Sequence, residues 1–178
     1  SHVIKPNFQG STVGVFLILT NSEKKPSRSD WHYGNELMVE EYIEGQEISS
    51  AVVFDQARGV LELCPQDGFY NYQAKYTPGV TKHIMPANIP NNIYHQAMEV
   101  AEKIHHIIGC RTISRSDFRY NAKDGLNFLE INTHPGFTDL SILPEIAAFV
   151  GISFEEIIQG LLKDAKCDLV EELLAKDF

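Results

Sequence analysis

Glu130 and Asn132 place a carboxylate and an amide on alternate residues of LEINTHPGFTDLS, residues 129–141. Because side chains alternate along a strand, the two groups are predicted to share one face. A hairpin between two strand-like segments would bring Asp117 roughly opposite Glu130. Three oxygen ligands, two of them anionic, are what Mg²⁺ takes alongside nucleotide phosphates. The alternative is a solvated strand face with incidental acids.

Arg115 lies two residues before Asp117 and is predicted to project on the same face. A fixed guanidinium beside a metal could hold negative charge that develops on a substrate. The alternative is an ion pair between Arg115 and one of the same acids, and both arrangements can hold at once. A Pro-Gly pair at 135–136 and then Ser141 follow the ligand strand in a loop of small residues.

Segments near the start of the chain carry groups that could meet a nucleotide. GSTVG, residues 10–14, supplies backbone N–H groups and hydroxyls that could close over phosphates, or it is an ordinary hairpin turn. Lys5 could meet a phosphate as a point charge, or lie at the plain surface. EEYIEGQE, residues 40–47, is either a solvated acidic face or a segment whose backbone contacts an adenine while Glu47 accepts from ribose hydroxyls.

Residues 66–90 contain many glycine, proline, asparagine and tyrosine residues and show little periodicity. A loop of this length inside a compact domain is usually functional. Within it, YNYQAKY at 70–76 combines three tyrosines with Lys75, and aromatic residues in a mobile lid can exclude water from a reaction. We therefore interpret the segment as a lid, with simple surface packing as the alternative.

Strands and helices must position these groups. β-branched and apolar runs predict strands at 2–5, 13–20, 36–43, 47–55 (with QARG as the turn into VLELCP), 111–120 and 126–132. Helical periodicity and capping signals predict helices at 92–109 (capped by Gly109), 144–151, 153–165 (with Ser153 and Glu156 in capping-box spacing) and 169–178. Antiparallel hairpins mixed with helices in this order indicate an α+β fold.

The composition excludes several classes of protein. A chain of 178 residues with 43% hydrophobic residues is typical of a soluble globular protein. Its net charge of -9 argues against non-specific binding to nucleic acid or anionic membranes. Cys64, Cys110 and Cys167 lie far apart without a CxxC pair, which indicates reduced thiols in a cytosolic protein. The chain lacks an initial methionine and enters a strand at once, so we expect it to be a piece of a longer protein.

Five segments resemble, in this order, the D-alanine–D-alanine ligases of the ATP-grasp superfamily. They are VIKPNFQGSTVGV, LMVEEYIEGQEIS, FYNYQAKY, CRTISRSDF and FLEINTHPGFTDLSILP. YNYQAKY separates this family from glutathione synthetases, biotin carboxylases and other relatives. The resemblance implies the C-terminal part of an ATP-grasp fold, with antiparallel sheets and packed helices. Residues 1–46 would belong to the central lobe, truncated at its start, and residues 47–178 to the C-terminal catalytic lobe with the lid loop 66–90.

The resemblance also implies an activity and its residues. ATP would phosphorylate the carboxylate of one D-alanine, and the amine of a second D-alanine would attack the acyl phosphate to give the dipeptide used in bacterial peptidoglycan. Two magnesium or manganese ions would be held by Asp117, Glu130 and Asn132. The nucleotide would be bound by Lys5, Glu40, Glu41, Ile43 (through its backbone), Glu47 and Lys75. In catalysis, Arg115 and Gly136 would form an oxyanion site. Ser11 would cover the phosphates, and Tyr76 would tie the lid to Ser11. Lys75 and Ser141 would contact the second substrate or the transferred phosphate.

Differences from the family set the remaining expectations. The glycine-loop segment is QGST where many relatives have EGSS, so Gln9 and Thr12 change its polar detail. The upstream domain that binds the first substrate is missing, so we expect the full-length cytoplasmic protein, as a homodimer, to be the ligase and this piece to be inactive alone. The alternatives are another ATP-grasp ligase joining a different carboxylate and amine, and a non-catalytic nucleotide-binding module.

Overall fold

The computed structural model describes residues 1–10, 12–21, 27–65, 81–138 and 141–166. Within these ranges the strands are β1 (His2–Lys5), β2 (Phe16–Ile18), β3 (Met38–Glu41), β4 (Gln46–Val53), β5 (Gln56–Pro65), β6 (Thr81–Ile84), β7 (Ile113–Asn121) and β8 (Gly125–Asn132). The helices are α1 (Asn91–Ile108), α2 (Ile142–Phe149) and α3 (Phe154–Asp164), and a 3-10 turn covers Arg28–Asp30. None of the helices in these ranges has the length and apolarity needed to cross a membrane.

The strands form two antiparallel sheets. The smaller sheet has the order β2-β1-β3, and the larger has the order β6-β5-β4-β7-β8. Residues 42–45 connect β3 to β4, and we call them the link because they join the two sheets. Antiparallel sheets mixed with helices confirm the predicted α+β class.

The larger sheet is packed on both faces, because successive residues of each strand point to opposite sides. On one face, α1 shares a core with the strands that consists of Ile48, Val52, Ala57, Val60, Ala87, Ala97, Ala101 and Phe118. On the other face, α2 and α3 share a core that consists of Ala51, Val53, Leu61, Leu63, Ile113, Ile142, Leu143, Ile146, Ala147 and Ile157. The rest of this second face, along β4, β7 and β8, carries charged residues that face the smaller sheet.

The helix ends follow their local signals. After α1, Gly109 adopts the left-handed conformation with a φ of 75° and donates to the carbonyls of the last turn, as predicted. Before α3, the Ser153 hydroxyl accepts from the Glu156 N–H, and the Glu156 carboxylate accepts from the Ser153 N–H. The predicted capping box is confirmed. The Ser153 N–H and the Ser153 hydroxyl both donate to Glu156 Oε2, and these two bonds hold the pKa of the Glu156 carboxyl below its usual value.

The turn between β4 and β5 contradicts the prediction of a QARG turn at 56–59. The chain turns at Phe54 and Asp55, and QARG is the start of β5. Both turn residues have positive φ, 54° and 60°, which non-glycine residues seldom adopt. Distant partners favour this turn, since Phe54 packs against Gly160 of α3 and Asp55 Oδ1 lies 3.1 Å from His105 Nε2 of α1. Local sequence carries no signal of either contact.

The prediction of a loop over residues 66–90 is wrong at residues 81–84, because Thr81–Ile84 forms β6. This strand pairs with β5 at the edge of the larger sheet. Four residues of mixed polarity give no periodic signal, so the pairing depends on the neighbour rather than on local sequence. The strands predicted at 13–20 and 36–43 exist but are shorter, as β2 and β3. Residues 66–80 and the predicted helix at 169–178 lie outside the described residues.

Candidate functional site

A cavity of about 410 Å³ lies between the smaller sheet and the charged part of the larger sheet. Eight residues predicted to bind metal or nucleotide line it: Lys5, Glu40, Glu41, Ile43, Glu47, Asp117, Glu130 and Asn132. The other charged residue of the lining, among those described, is Arg119. The two sheets and their link therefore gather groups that are distant in sequence into one site.

Strand pairing positions the predicted metal ligands. β7 and β8 form the expected hairpin, with Asp117 directly opposite Glu130. Arg115 lies opposite Asn132 in the same register. Because cross-strand partners share a face, all four side chains belong to the face that is turned towards the smaller sheet. The predicted geometry of this hairpin is confirmed.

A β-bulge at Leu129, which the sequence analysis does not predict, interrupts the register. Phe118 pairs with Phe128 while Asp117 pairs with Glu130, so Leu129 is the extra residue. The two phenylalanine rings contact each other with centroids 5.7 Å apart. Leu129 lines the cavity beside Glu130, so the bulge adds an apolar surface next to the carboxylate.

Asp117 is fixed by three hydrogen bonds. The Ser49 hydroxyl donates to Oδ1 at 2.6 Å, and Arg115 donates to both oxygens through Nε and Nη2, each at 2.8 Å. The side chains of Asp117 and Arg115 are each 14% exposed, so these are sheltered, charge-assisted bonds. The predicted ion pair of Arg115 is confirmed. Arg115 is outside the described cavity lining, and its oxyanion role stays a prediction.

The donor set suits a hard divalent cation. Asp117, Glu130 and Asn132 offer only oxygen atoms, which Mg²⁺ and Mn²⁺ prefer. Among the described residues, no group of three or more His, Cys, Asp or Glu side chains could hold a metal, so a site at Asp117 and Glu130 would need the Asn132 amide as its third donor. Asn132 Oδ1 accepts from the His134 N–H at 3.0 Å, which orients the oxygen and leaves it a second lone pair.

Two of the three acids predicted to contact adenosine form ion pairs with cations of the chain. Glu40 on β3 pairs with Lys5 on β1 at 2.5 Å. Glu47 on β4 pairs with Arg119 on β7 at 2.9 Å. Glu40 and Glu47 are therefore held by neighbours within the cavity, and both pairs link adjacent strands.

The Pro-Gly loop packs closely on itself at the start of α2. Ser141 is the N-cap residue of α2, and its hydroxyl accepts from the Thr138 N–H at 2.9 Å. A Cβ at position 136 would lie 2.9 Å from Ser141 Oγ, so any larger residue there would displace the Ser141 hydroxyl. Gly136 and Ser141 therefore lie together, outside the described cavity lining.

Arg119 and Ser49 contact predicted site residues but are absent from the sequence predictions. Arg119 follows Asp117 by two residues, so the alternation rule that places Arg115 on this face would also have found it. Ser49 has no such signal. It meets Asp117 only because β4 pairs with β7 across 68 residues of sequence separation.

Ser11, Lys75 and Tyr76 lie outside the described residues. Their predicted roles at the phosphates, the lid and the second substrate stay predictions. The division into lobes at residues 46 and 47 also stays a prediction.

Cys64 and Cys110 are free thiols. Burial raises the pKa of both, and the Glu62 carboxylate raises that of Cys64 further. Both thiols are therefore protonated at neutral pH, so neither is an activated nucleophile.

A sequence model of the family described as D-ala D-ala ligase C-terminus matches residues 2–163. Two curated relatives are named D-alanine–D-alanine ligase. The one from Wolbachia pipientis wMel is 48% identical over 92% of this chain and 53% of its own length. The one from Rhodopseudomonas palustris strain BisA53 is 41% identical over 94% of this chain and 56% of its own length. The chain therefore spans about half the length of the curated relatives it matches.

Two solved structures have the same fold. The VanG D-Ala:D-Ser ligase from Enterococcus faecalis is 30% identical, with a TM-score of 0.71 over 91% of this chain and 48% of that chain. The D-alanine–D-alanine ligase from Bacillus anthracis complexed with ATP is 21% identical, with a TM-score of 0.69 over 91% of this chain and 52% of that chain. These likenesses confirm the predicted C-terminal part of an ATP-grasp fold.

Proposed function

The chain belongs to the family of the D-alanine–D-alanine ligase C-terminus, and we propose on this basis that its full-length protein joins two D-alanines with ATP for bacterial peptidoglycan synthesis. The observation that carries the proposal is the hairpin on which Asp117 and Glu130 face each other in the wall of the cavity, beside Asn132. This arrangement supports the proposal, because Mg²⁺ usually binds one or two carboxylates together with substrate phosphates.

The proposed reaction has two steps. A carboxylate oxygen of the first D-alanine attacks the γ-phosphorus of ATP, ADP leaves, and an acyl phosphate forms. The amine of the second D-alanine attacks the acyl carbon and loses a proton, and inorganic phosphate leaves as the peptide bond forms. Negative charge develops in both steps, so positioned cations and N–H donors would lower both barriers. Exclusion of water would protect the acyl phosphate.

The cavity would bind the nucleotide. The adenosine would lie against Glu40, Glu41, Ile43 (through its backbone) and Glu47, and the phosphates would meet Lys5 and Lys75. Magnesium or manganese, two ions by family expectation, would neutralise the phosphate charge and would be held by Asp117, Glu130 and Asn132. The oxygen-only donors and the orientation of Asn132 by the His134 N–H support this assignment.

The reacting end would lie at Arg115 and the Pro-Gly loop. Arg115 and the N–H of Gly136 would receive the negative oxygen of the tetrahedral intermediate, and Ser141 would meet the second substrate. The closeness of Gly136 to Ser141 supports this, because one thin loop could serve both steps. Lys75 and Tyr76 would act from a lid over residues 66–90, with Tyr76 contacting Ser11.

Other substrates and partners are part of the same proposal. The similar VanG protein is named a D-Ala:D-Ser ligase, so D-serine is the competing second substrate. The higher identity to proteins named D-alanine–D-alanine ligase, 48% against 30%, favours D-alanine. The full-length protein would carry a further N-terminal domain, form a homodimer and work in the cytoplasm.

Phosphate release by the full-length protein tests the proposal. With ATP and Mg²⁺ we expect release that depends on D-alanine and not on L-alanine, and a dipeptide product identified by mass. Release that depends equally on L-alanine, or on no amino acid, would contradict the proposal. Faster release with D-alanine plus D-serine than with D-alanine alone would instead assign the competing substrate.

A titration of this chain with ATP tests the metal assignment separately. We expect Mg²⁺ to strengthen binding, and Asp117→Asn to remove the Mg²⁺-dependent part, because the substitution deletes an anionic oxygen. Glu99→Gln makes the same chemical change on an exposed surface of α1 and serves as the matched control. Equal Mg²⁺ dependence in both variants would exclude Asp117 as a ligand.

A further inference from the structure

We infer that Arg119 is a positioning residue for the nucleotide: it holds the Glu47 carboxylate towards the ribose and fixes the link between the two sheets. This inference rests on the proposed function, because it assigns a task to Arg119 within the same ATP site. Arg119 would act through Glu47 and the link rather than by touching the reacting atoms.

The first contact of Arg119 is with Glu47, its cross-strand partner in the β4–β7 pairing. Arg119 Nη2 lies 2.9 Å from Glu47 Oε2, and the two side chains are 8% and 17% exposed. A carboxylate this sheltered keeps its charge only with a partner, since burial penalises an unpaired ion. Arg119 therefore holds in place the group proposed to accept from ribose hydroxyls.

The second set of contacts is with the link, residues 42–45. Arg119 Nη1 donates to the Gly45 carbonyl at 3.0 Å, and its guanidinium lies 5.5 Å from the centroid of the Tyr42 ring. Asn121 Nδ2, two residues further along β7, donates to the Glu44 carbonyl at 2.7 Å. The link is thus held against the end of β7 at Tyr42, Glu44 and Gly45. Because the link joins β3 to β4, Arg119 also sets the spacing between the two walls of the cavity.

The geometry requires an arginine. Arg119 contacts three partners in different directions, two through N–H groups and one through the flat face of its guanidinium. A planar guanidinium offers both kinds of contact, and an ammonium group does not. Arg119 also counters charge in the cavity, whose described lining holds five acids against Lys5 and Arg119. The acids are Glu40, Glu41, Glu47, Asp117 and Glu130. Without Arg119, an anionic nucleotide would enter a more strongly negative site.

The test compares ATP with 2′-deoxy-ATP and 3′-deoxy-ATP in the full-length protein. Arg119→Met should raise the KM for ATP roughly ten- to a hundredfold, the usual range for losing a hydrogen-bonded charged pair. The kcat at saturating ATP should change little, since the lost interaction serves binding. The preference for ATP over the deoxynucleotides should disappear, because Glu47 is no longer aimed at the ribose. Glu47→Gln should abolish the same preference, and the double variant should be little worse than either single variant.

Arg28→Met is the matched control, because it removes an exposed arginine from the 3-10 turn and should leave all three KM values unchanged. If Arg119→Met fails to fold, Arg119→Lys keeps the charge but loses the fork, and it should reduce the same nucleotide preference. An unchanged preference in a folded Arg119 variant overturns the inference. The inference is also overturned if an Arg119 variant raises the KM equally for all three nucleotides and lowers the melting temperature, because that result indicates a structural role. A wild-type protein without D-alanine-dependent phosphate release overturns the proposed function itself, and wild type alone decides that.

Discussion

The two walls of the cavity differ in how they are supported. In the larger sheet, the residues behind the charged face are fully buried against α1, as Ile48 and Phe118 show with 0% exposure. In the three strands of the smaller sheet, Ile18 is the only buried residue. Large apolar side chains there stay open to solvent, among them Val39 with 57% exposure. Among the described residues, one wall is therefore a packed layer and the other is a thin one.

The predicted site residues on the two walls also differ in how firmly their neighbours hold them. On the packed wall, Asp117 is fixed by Ser49 and Arg115, and Glu47 is held by Arg119. On the thin wall, Lys5 and Glu40 pair with each other at a more exposed site. A site is precise when the supporting neighbours lock its side chains. We therefore expect the metal and ribose groups to be preorganised, and the phosphate-facing lysine to adjust when a ligand binds.

The largest contrast should come from truncating one apolar residue on each wall. Phe118→Ala opens a cavity in the core under α1 and should lower the free energy of unfolding by about 3–5 kcal/mol. Val39→Ala removes a mostly exposed side chain and should change it by less than about 0.5 kcal/mol. Urea denaturation of both variants measures the difference. Similar losses for the two would mean that the smaller sheet is covered in solution, and the comparison of walls would fail.

A smaller contrast tests the link between the walls. Gly45 has a φ of +134°, and a Cβ there would collide with the Tyr120 carbonyl, so Gly45→Ala adds a clash to backbone strain of about 1–3 kcal/mol. Gly34→Ala is the matched control, because its φ of +89° brings strain while nothing lies within 4 Å of the added Cβ. We expect Gly45→Ala to be the less stable variant in urea. It should also bind ATP more weakly, because the displaced link carries Glu47 with it.

The sequence predicted the parts of this site that depend on local rules. Alternation and the hairpin signal placed Asp117 opposite Glu130, and cap signals placed Gly109 and the Ser153 box. These features depend on residues close together in the chain, so their physics is visible in the sequence. The roles of these residues in binding and catalysis were predicted from the family resemblance, because the alternation of side chains along a strand predicts positions and not roles.

The features that were missed depend on partners far along the chain. The turn at Phe54 and Asp55 is selected by Gly160 and His105 on two different helices, so a local turn rule misplaced it. The edge strand at Thr81–Ile84 exists because β5 offers it hydrogen bonds. The bulge at Leu129 lies beside the contact of Phe128 with Phe118, and no local signal marks it.

A modest effect is expected at α3, which packs on the same face of the larger sheet as the charged residues. Ser153→Ala removes the cap of α3 and should lower the free energy of unfolding by about 1 kcal/mol at neutral pH. The Ser153 N–H and hydroxyl both donate to the Glu156 carboxylate and hold its folded-state pKa below 4.5, and the substitution removes the hydroxyl. The part of the cap that depends on the hydroxyl–carboxylate bond is therefore present above pH 4.5 and is lost as the pH falls through the depressed pKa, while the bond from the Glu156 N–H to the hydroxyl does not titrate. The gap between wild type and Ser153→Ala in urea should therefore narrow in acid. A difference in unfolding free energy that grows below pH 4.5 would contradict the expected direction of the pH dependence.

The smallest effect on stability is expected on the thin wall. Lys5→Met breaks the pair with Glu40, whose side chain is 45% exposed, so the free energy of unfolding should change by less than about 1 kcal/mol. Binding of ATP should still weaken by roughly tenfold or more, because a phosphate loses a charge-assisted partner. Lys103→Met on the exposed surface of α1 is the control for the loss of one positive charge. A large loss of stability without weaker ATP binding would make Lys5 a structural residue. The stability of the smaller sheet would then depend on the Lys5–Glu40 pair, contrary to the difference between the two walls.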